Sequence, residues 1–543
     1  MTTAPESAAI LRATSEGNGP GLGPIAVEPD DGGLSLPTGE LMALGGDARI
    51  TLDEQSGLNS YGCAPKPMPA ITYASSTAST VSSGAFAQAR AYHFQLRAAA
   101  RTRPIDEVYA EGMADARRRL CILYGLDSSA DIAFGPSGTD LEYLATAVSL
   151  ADGKRVRNVV VEVDEVGSGC LNAQKARYFA PRTALGLDVT TGEPVPGFPD
   201  ERLETETVTI REQDGTLRDP AERERVLLEL LERSVRAGER PLLHVVHRSK
   251  TGLIAPDPQT LRRLAAQFGK SIDIVVDACQ GRISPEMLRD YLGLGAIVFV
   301  TGSKFIGGPP FSAFAIIPEA LGARMRGGAP APEGLGGFFA RGEMPAGWAS
   351  MDAVLPRSAN FGLLLRLECG VFELSRLLAY PEDVPARAID AFGEAVRTLP
   401  EDSPLRLLPD SELDEPEGLH PLDRTMLHTF ELVARHPESG RALDMDDART
   451  VYTMLFTDIS EHYSGSWETM VAGETCHVGQ PVRCLRRADG SWAPTLRLSL
   501  SAPHISEIGG LDDEAILRRF RTDLDWIGAK IRLILPLLPA EKS

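Results

Sequence analysis

Lysine is scarce in this chain: of 55 Lys and Arg, only eight are Lys, so arginine carries the ordinary cationic surface. Basic charge is short overall, because 75 Asp and Glu leave a formal net charge of -20. Nucleic acids and anionic membrane surfaces need a basic footprint, and neither is expected as a partner. Long apolar runs are missing too; none approaches the roughly 20 residues that cross a bilayer. The opening stretch "MTTAPESAAILRATSEGNGPG" lacks a basic region followed by an apolar core, so it does not read as a secretory signal. Seven cysteines, an odd number without a CxxC pair, run from Cys63 to Cys484. That pattern leads us to expect reduced thiols in a cytoplasmic protein rather than a disulfide framework.

What is present is an ordinary globular composition, 43% hydrophobic and 24% charged, over 543 residues. Such a length holds two or three structural units. Residues 1–69 read as an N-terminal arm whose first 45 residues are rich in Gly, Pro and acids. Its "GNGPGLG" fails as a dinucleotide loop, having no strand before it and no helix after it. Residues 70–335 are expected to form a large domain. Short β-branched runs, "RNVVVEV" (157–163), "PLLHVVH" (241–247), "SIDIVVDA" (271–278) and "AIVFVTG" (296–302), alternate there with helical patterns at 105–124, 221–238 and 257–270. Apolar strands separated by amphipathic helices predict a parallel sheet covered on both faces. The Gly/Pro-rich stretch 323–350 breaks this rhythm, and a long helix is predicted over 360–379. Residues 336–543 then read as a connecting helix and a smaller α+β domain, with strands expected at "TVYTMLFTD" and "TLRLSLSAP".

Open α/β sheets bind ligands at the carboxyl ends of their strands. Ser137, Gly138 and Thr139 stand just before a predicted helix, where free N–H groups and the dipole favour a phosphate. An ordinary N-cap explains them equally well when they are taken alone. Asp277 ends a wholly apolar run, a costly place for a carboxylate unless a cation or donors meet it. Lys304 follows "AIVFVTGS" and precedes Gly-Gly-Pro-Pro. A desolvated lysine has a depressed pKa and becomes a nucleophilic amine, which Schiff-base chemistry requires. A phosphate cradle, an acid for a pyridinium proton and a lysine for an aldehyde together match pyridoxal 5'-phosphate.

The motifs "PSGTD" (136–140), "HRSKTG" (247–252), "DACQ" (277–280) and "TGSKFIGGPPF" (301–311) occur in the order and spacing of a known family. From about residue 70 to 370 the chain resembles the fold-type I pyridoxal phosphate enzymes, in the branch of class V aminotransferases and cysteine desulfurases. The resemblance implies a mainly parallel seven-stranded sheet sandwiched by helices, with a smaller α+β C-terminal domain. It implies that Lys304 forms the Schiff base, that Asp277 pairs with the ring nitrogen and that Gln280 reaches the ring hydroxyl. Ser137, Gly138, Thr139, Thr301 and Ser303 would hold the phosphate, and His247 would lie near the cofactor. It further implies a homodimer with active sites at the interface, to which 323–350 is a candidate contributor. Three departures stand out: Ser303 replaces the His that many members place before the lysine, "VDEVGSGC" (163–170) lacks the expected ring-stacking His or aromatic, and the chain is longer than typical members, with an extended N-terminal arm and insertions between 180 and 220.

Other residues were weighed against plainer roles. His244 and His247 do not form a metal pair, since residues three apart on a strand face opposite sides; no metal site is expected. Arg497 resembles the arginine that grips a substrate carboxylate, a task suited to its planar fork; a surface arginine is the equal alternative. Asn59 and Tyr61 are candidate residues of the active-site mouth. Cys476 and Cys484 lie where a desulfurase would need a mobile thiol, although buried structural cysteine is commoner. The reading favours an enzyme acting on an amino acid, with transamination ahead of β/γ-elimination or replacement. A non-catalytic binding protein on the same fold is the rival from another class.

Overall fold

A computed structural model describes residues 31–540 apart from 75–77, 79, 128–129, 409–414 and 416–417. The "GNGPGLG" stretch therefore lies outside the described residues. The strands are β1 (Ile71–Tyr73), β2 (Asp131–Gly135), β3 (Val156–Val161), β4 (Leu203–Val208), β5 (Arg240–Val246), β6 (Asp273–Asp277), β7 (Ala296–Thr301), β8 (Ala313–Ile317), β9 (Leu405–Leu407), β10 (Leu427–Leu432), β11 (Cys476–Val478) and β12 (Thr495–Ser499). Seven of them build one sheet in the order β2-β8-β7-β6-β5-β3-β4. Strand β8 runs antiparallel to both of its neighbours, and the remaining pairs are parallel. The expected mainly parallel, helix-covered, seven-stranded sheet is the one observed.

Strands β5, β6 and β7 are buried almost throughout, as expected for sheet centres whose two faces are both covered. Their register decides where the chemistry sits. Val246 lies opposite Asp277, which lies opposite Phe299. Gly135 and Thr301 both pair with Ala313 of β8. The carboxyl ends of β2, β6 and β7 are thus nearly flush, and Ser137, Asp277 and Lys304 leave the sheet along one edge.

The helix Gly138–Leu150 begins at that edge and is buried from Thr139 to Leu150. The stretch after β8, predicted to lack regular structure, forms a short helix (Glu319–Arg326) followed by 3-10 turns. Its Phe338, Phe339, Met344 and Trp348 are at most 2% exposed and pack into the same chain's core, around Tyr143. An aromatic side chain so buried stabilises by about 1.5–3 kcal/mol. The long helix is Phe361–Leu378, capped by Asn360, whose side chain accepts the N–H of Leu363 at 3.0 Å.

Beyond it, β9, β10 and β12 form an antiparallel sheet backed by the helices Asp383–Arg397 and Asp513–Ile534. Strand β1 pairs in parallel with β11, tying the N-terminal region to the C-terminal one. One expectation is overturned. "TVYTMLFTD" is no strand; it lies largely within the helix Met445–Leu455. Asp444 and Asp447 form a capping box there, and Met445, Ala448, Val451, Tyr452 and Leu455 are buried at helical spacing. Among the described residues no helix is long and apolar enough to cross a membrane.

Candidate active site

The flush strand ends open on a cavity of about 210 Å³. Ser137, Gly138, Thr139, Asp277, Gln280, Thr301, Ser303, Lys304, Arg497 and Tyr61, all singled out from the sequence, line it. His247 and Asn59 do not.

Ser137 caps the helix Gly138–Leu150, as the N-cap reading of "PSGTD" expects, and it also lines the cavity. Its Oγ donates to Asp140 Oδ2 at 2.6 Å and accepts the Asp140 N–H at 3.3 Å. The N–H groups at the helix start other than that of Asp140 face the cavity side as donors for an anion. Gly138 is required by packing, because a Cβ there would overlap Cys279 Sγ. Asp140 sits behind the cradle at 1% exposure; burial, and then the charge of Asp47, push its pKa up to about 7.

Asp277 stands at the last position of β6, half-buried, with Oδ1 accepting the N–H of Cys279 at 2.9 Å. Thr301 donates its hydroxyl to the Cys279 carbonyl at 2.6 Å, fixing the turn after Asp277. Gln280 is oriented by its neighbour. Arg282 Nη1 donates to Gln280 Oε1 at 2.7 Å, and because a guanidinium only donates, the amide NH₂ is assigned the opposite side. Arg282 is itself fully buried over the Phe305 ring and bonded to Ser499 and the Leu500 carbonyl. With burial first and Arg497 next, its pKa falls to about 9.

Lys304 follows β7 in a turn closed by glycines. Gly302 N–H donates to Ser312 O, and Gly308 N–H to Gly302 O at 2.8 Å. A Cβ on Gly308 would lie 2.7 Å from Gly302 O and 3.0 Å from Gly370 N, so the turn presses directly on the long helix. That contact explains Gly308, while Gly307 has φ +84° and a Cβ there would overlap Pro503. Phe311, which lines the cavity, has φ +72°, a strained value for an aromatic residue and of the kind that clusters at functional sites. Ser312 Oγ is buried against the cavity without a hydrogen-bond partner.

Sequence reading missed several lining residues. Arg49 reaches in from the N-terminal segment, paired with Asp47 at 2.8 Å and stacked over Phe311 at 5.0 Å. Lys250 enters from the loop after β5. Gly167, Ser168 and Cys170 form the wall where a stacking ring was expected. These residues are far apart in sequence and carry no motif; only the fold assembles them. Arg497 donates through Nε to Gln480 O at 2.8 Å and through Nη1 to Lys250 O at 2.9 Å. It is 2% exposed, and burial brings its pKa down to about 10.

Two sequence assignments are corrected. The His247 ring is held away from the cavity, by Tyr291 OH at Nδ1 (2.9 Å) and Arg282 O at Nε2 (3.1 Å). It braces the Arg282–Gln280 pair from behind. Asn59 closes its own loop instead, accepting the N–H groups of Tyr61 and Cys63. His244 faces the other side of β5, near Asn158 and Glu142, so the two histidines are split as the strand period requires. Cys476 and Cys484 are buried and outside the cavity lining, whereas Cys170 and Cys279 belong to it. Burial, with Glu142 next, holds the Cys170 thiol up at about 12, so it is no ready nucleophile.

No family model matches the chain, and no curated protein matches it in sequence. Solved structures do. The cysteine desulfurase CsdA from Escherichia coli aligns over 87% of this chain and 96% of its own, at 15% identity and a TM-score of 0.50. A ureidoglycine-glyoxylate aminotransferase from Bacillus subtilis covers 85% and 98% at 11% identity, with a TM-score of 0.47. Oryza sativa TDC, crystallised with PLP and tryptamine, covers 88% and 85% at 14% identity, also at 0.47. The architecture is that of the fold-type I pyridoxal phosphate enzymes.

Proposed function

We propose that the protein is a pyridoxal 5'-phosphate-dependent enzyme acting on an amino acid, with transamination as its reaction. One observation carries this reading: a helix N-terminus, a strand-end carboxylate and a strand-end lysine, from three separate strands, meet in one small cavity. The residues fit the cofactor. Gly138 leaves the helix start open, and the orphaned Ser312 hydroxyl supplies a donor with no protein use.

When bound, pyridoxal phosphate supplies an aldehyde that condenses with amines and a protonated ring that draws electrons from bonds at Cα. The first-turn N–H groups, Thr139 and Ser303 would hold its phosphate. Asp277 would pair with the ring nitrogen, its carboxylate favouring a proton there, and the Gln280 amide would donate to the ring hydroxyl. Lys304 would provide the amine that condenses with the aldehyde, and its Nζ, when free, would be the base that takes the proton from the substrate's Cα. Arg497 receives the α-carboxylate. A homodimer is part of the same proposal.

The purified protein is expected to absorb as a Schiff base and to bleach with borohydride, with the label on Lys304. A colourless protein that cannot be reconstituted overturns the reading in favour of a non-catalytic fold. In a single turnover with candidate amino acids, release of a keto acid with the cofactor left as its amine supports transamination. Retention of the aldehyde form with loss of a side-chain group promotes elimination or replacement instead.

A further inference from the structure

One cation of the cavity has no role in the proposed chemistry. Four cationic side chains line it, Arg49, Lys250, Lys304 and Arg497, against the single carboxylate of Asp277. Lys304 serves the cofactor, Arg497 the α-carboxylate, and Arg49 is neutralised by Asp47. Lys250 is left over, in a chain with eight lysines and a net charge of -20.

Among the described residues Lys250 has no carboxylate within ion-pair distance. Its Nζ donates to the Asp164 carbonyl at 3.3 Å, a neutral acceptor. The acid nearest in sequence contact, Glu165, is already engaged by Arg211 at 2.8 Å, Ser249 at 2.7 Å and the Thr251 hydroxyl at 2.8 Å. Burial, and then the neighbouring Arg497, lower the Lys250 pKa, as expected of an ammonium short of anions. The backbone carbonyl of Lys250 accepts from Arg497 Nη1 at 2.9 Å, which holds the Arg497 guanidinium beside the Lys250 backbone, and both residues line the cavity.

Resting on the proposed function above, we propose that Lys250 recognises a second carboxylate, making the substrate a short amino acid with an acidic side chain. Arg497 holds the α-carboxylate and Lys250 the side-chain carboxylate. Both cations face one cavity, so both carboxylates must belong to one molecule short enough to lie within it. A single ammonium acting as a point charge suits one carboxylate without demanding a bidentate geometry.

The test is calorimetric binding of unreactive acids to the cofactor-loaded protein, comparing succinate and glutarate with valerate. The wild type is expected to bind a dicarboxylate at least about tenfold more tightly than the monocarboxylate. Lys250→Met should erase that preference while leaving valerate affinity unchanged, and Lys250→Arg should restore part of it. Equal binding of the two acid classes by the wild type overturns the proposal. So does a Lys250→Met protein that retains the preference or loses both classes alike. If the protein takes up no cofactor, the function proposed above fails, yet the same titration on the chain as purified still decides whether Lys250 reads a second carboxylate.

Discussion

Asp277 and Asp140 are two carboxylates near one cavity, and their surroundings differ. Asp277 is half-buried, takes one backbone N–H and opens on the site, so its charge is available to a cationic ring. Replacing it with Ala removes that charge but none of the phosphate donors. Turnover of Asp277→Ala should fall at least about 100-fold, with a much smaller loss of cofactor affinity; steady-state kinetics beside a cofactor titration separates the two. A variant with normal turnover would rule Asp277 out as the ring partner. Asp140 is buried behind the cradle, and its folded pKa of about 7 exceeds the ordinary carboxylate value. A raised folded pKa means that the folded state holds the proton more tightly. Its favourable contribution is complete below the unfolded pKa and is lost as pH rises through about 7. Asp140→Asn cannot ionise and should escape that loss. The variant's melting temperature should exceed the wild type's at pH 8, and the gap should close near pH 4. A gap that does not change with pH would refute a neutral buried Asp140.

At the scale of elements, the cradle depends on how closely the helix Gly138–Leu150 approaches the turn after β6. Gly138→Ala sets a methyl against Cys279 Sγ, an overpacking that costs about 1–3 kcal/mol. Removing the sulfur in the double variant Gly138→Ala/Cys279→Ala should return most of that loss. Additive losses in denaturant melts would show that the contact is not the cause. The same elements show why some of the site was legible beforehand. Asp277 and Lys304 announced themselves because each charge ends an apolar run that has no other use for it. Lys250 and Arg49 sit in loops whose position only the folded chain determines, so no local pattern marked them. His247 was drawn toward the cofactor by a motif, but its ring faces Tyr291 and braces Arg282 instead. The helix Met445–Leu455 was missed because its Thr and Val were read without Asp444, whose capping box starts the helical period.

At the scale of the whole molecule, the question is whether one chain completes the site. Within the chain, Thr301 has already given its hydroxyl proton to Cys279 O, and Ser137 has given its own to Asp140. The phosphate is left with the free first-turn N–H groups and the hydroxyls of Thr139, Ser303 and Ser312, a modest set of neutral donors for a dianion. The homodimer proposed above would add donors from a second subunit. The stretch 323–350 is a poor contributor, because its large apolar side chains pack into their own core. The interface should instead involve surface that the single chain leaves open around the cavity mouth. Light scattering on the cofactor-loaded protein should give twice the 58.4 kDa subunit mass. Dilution that splits the dimer should release the cofactor in step with the fall in mass, since each half then loses part of its cradle. A monomer that keeps both colour and turnover would show that one chain suffices, and the missing donors would then have to come from water.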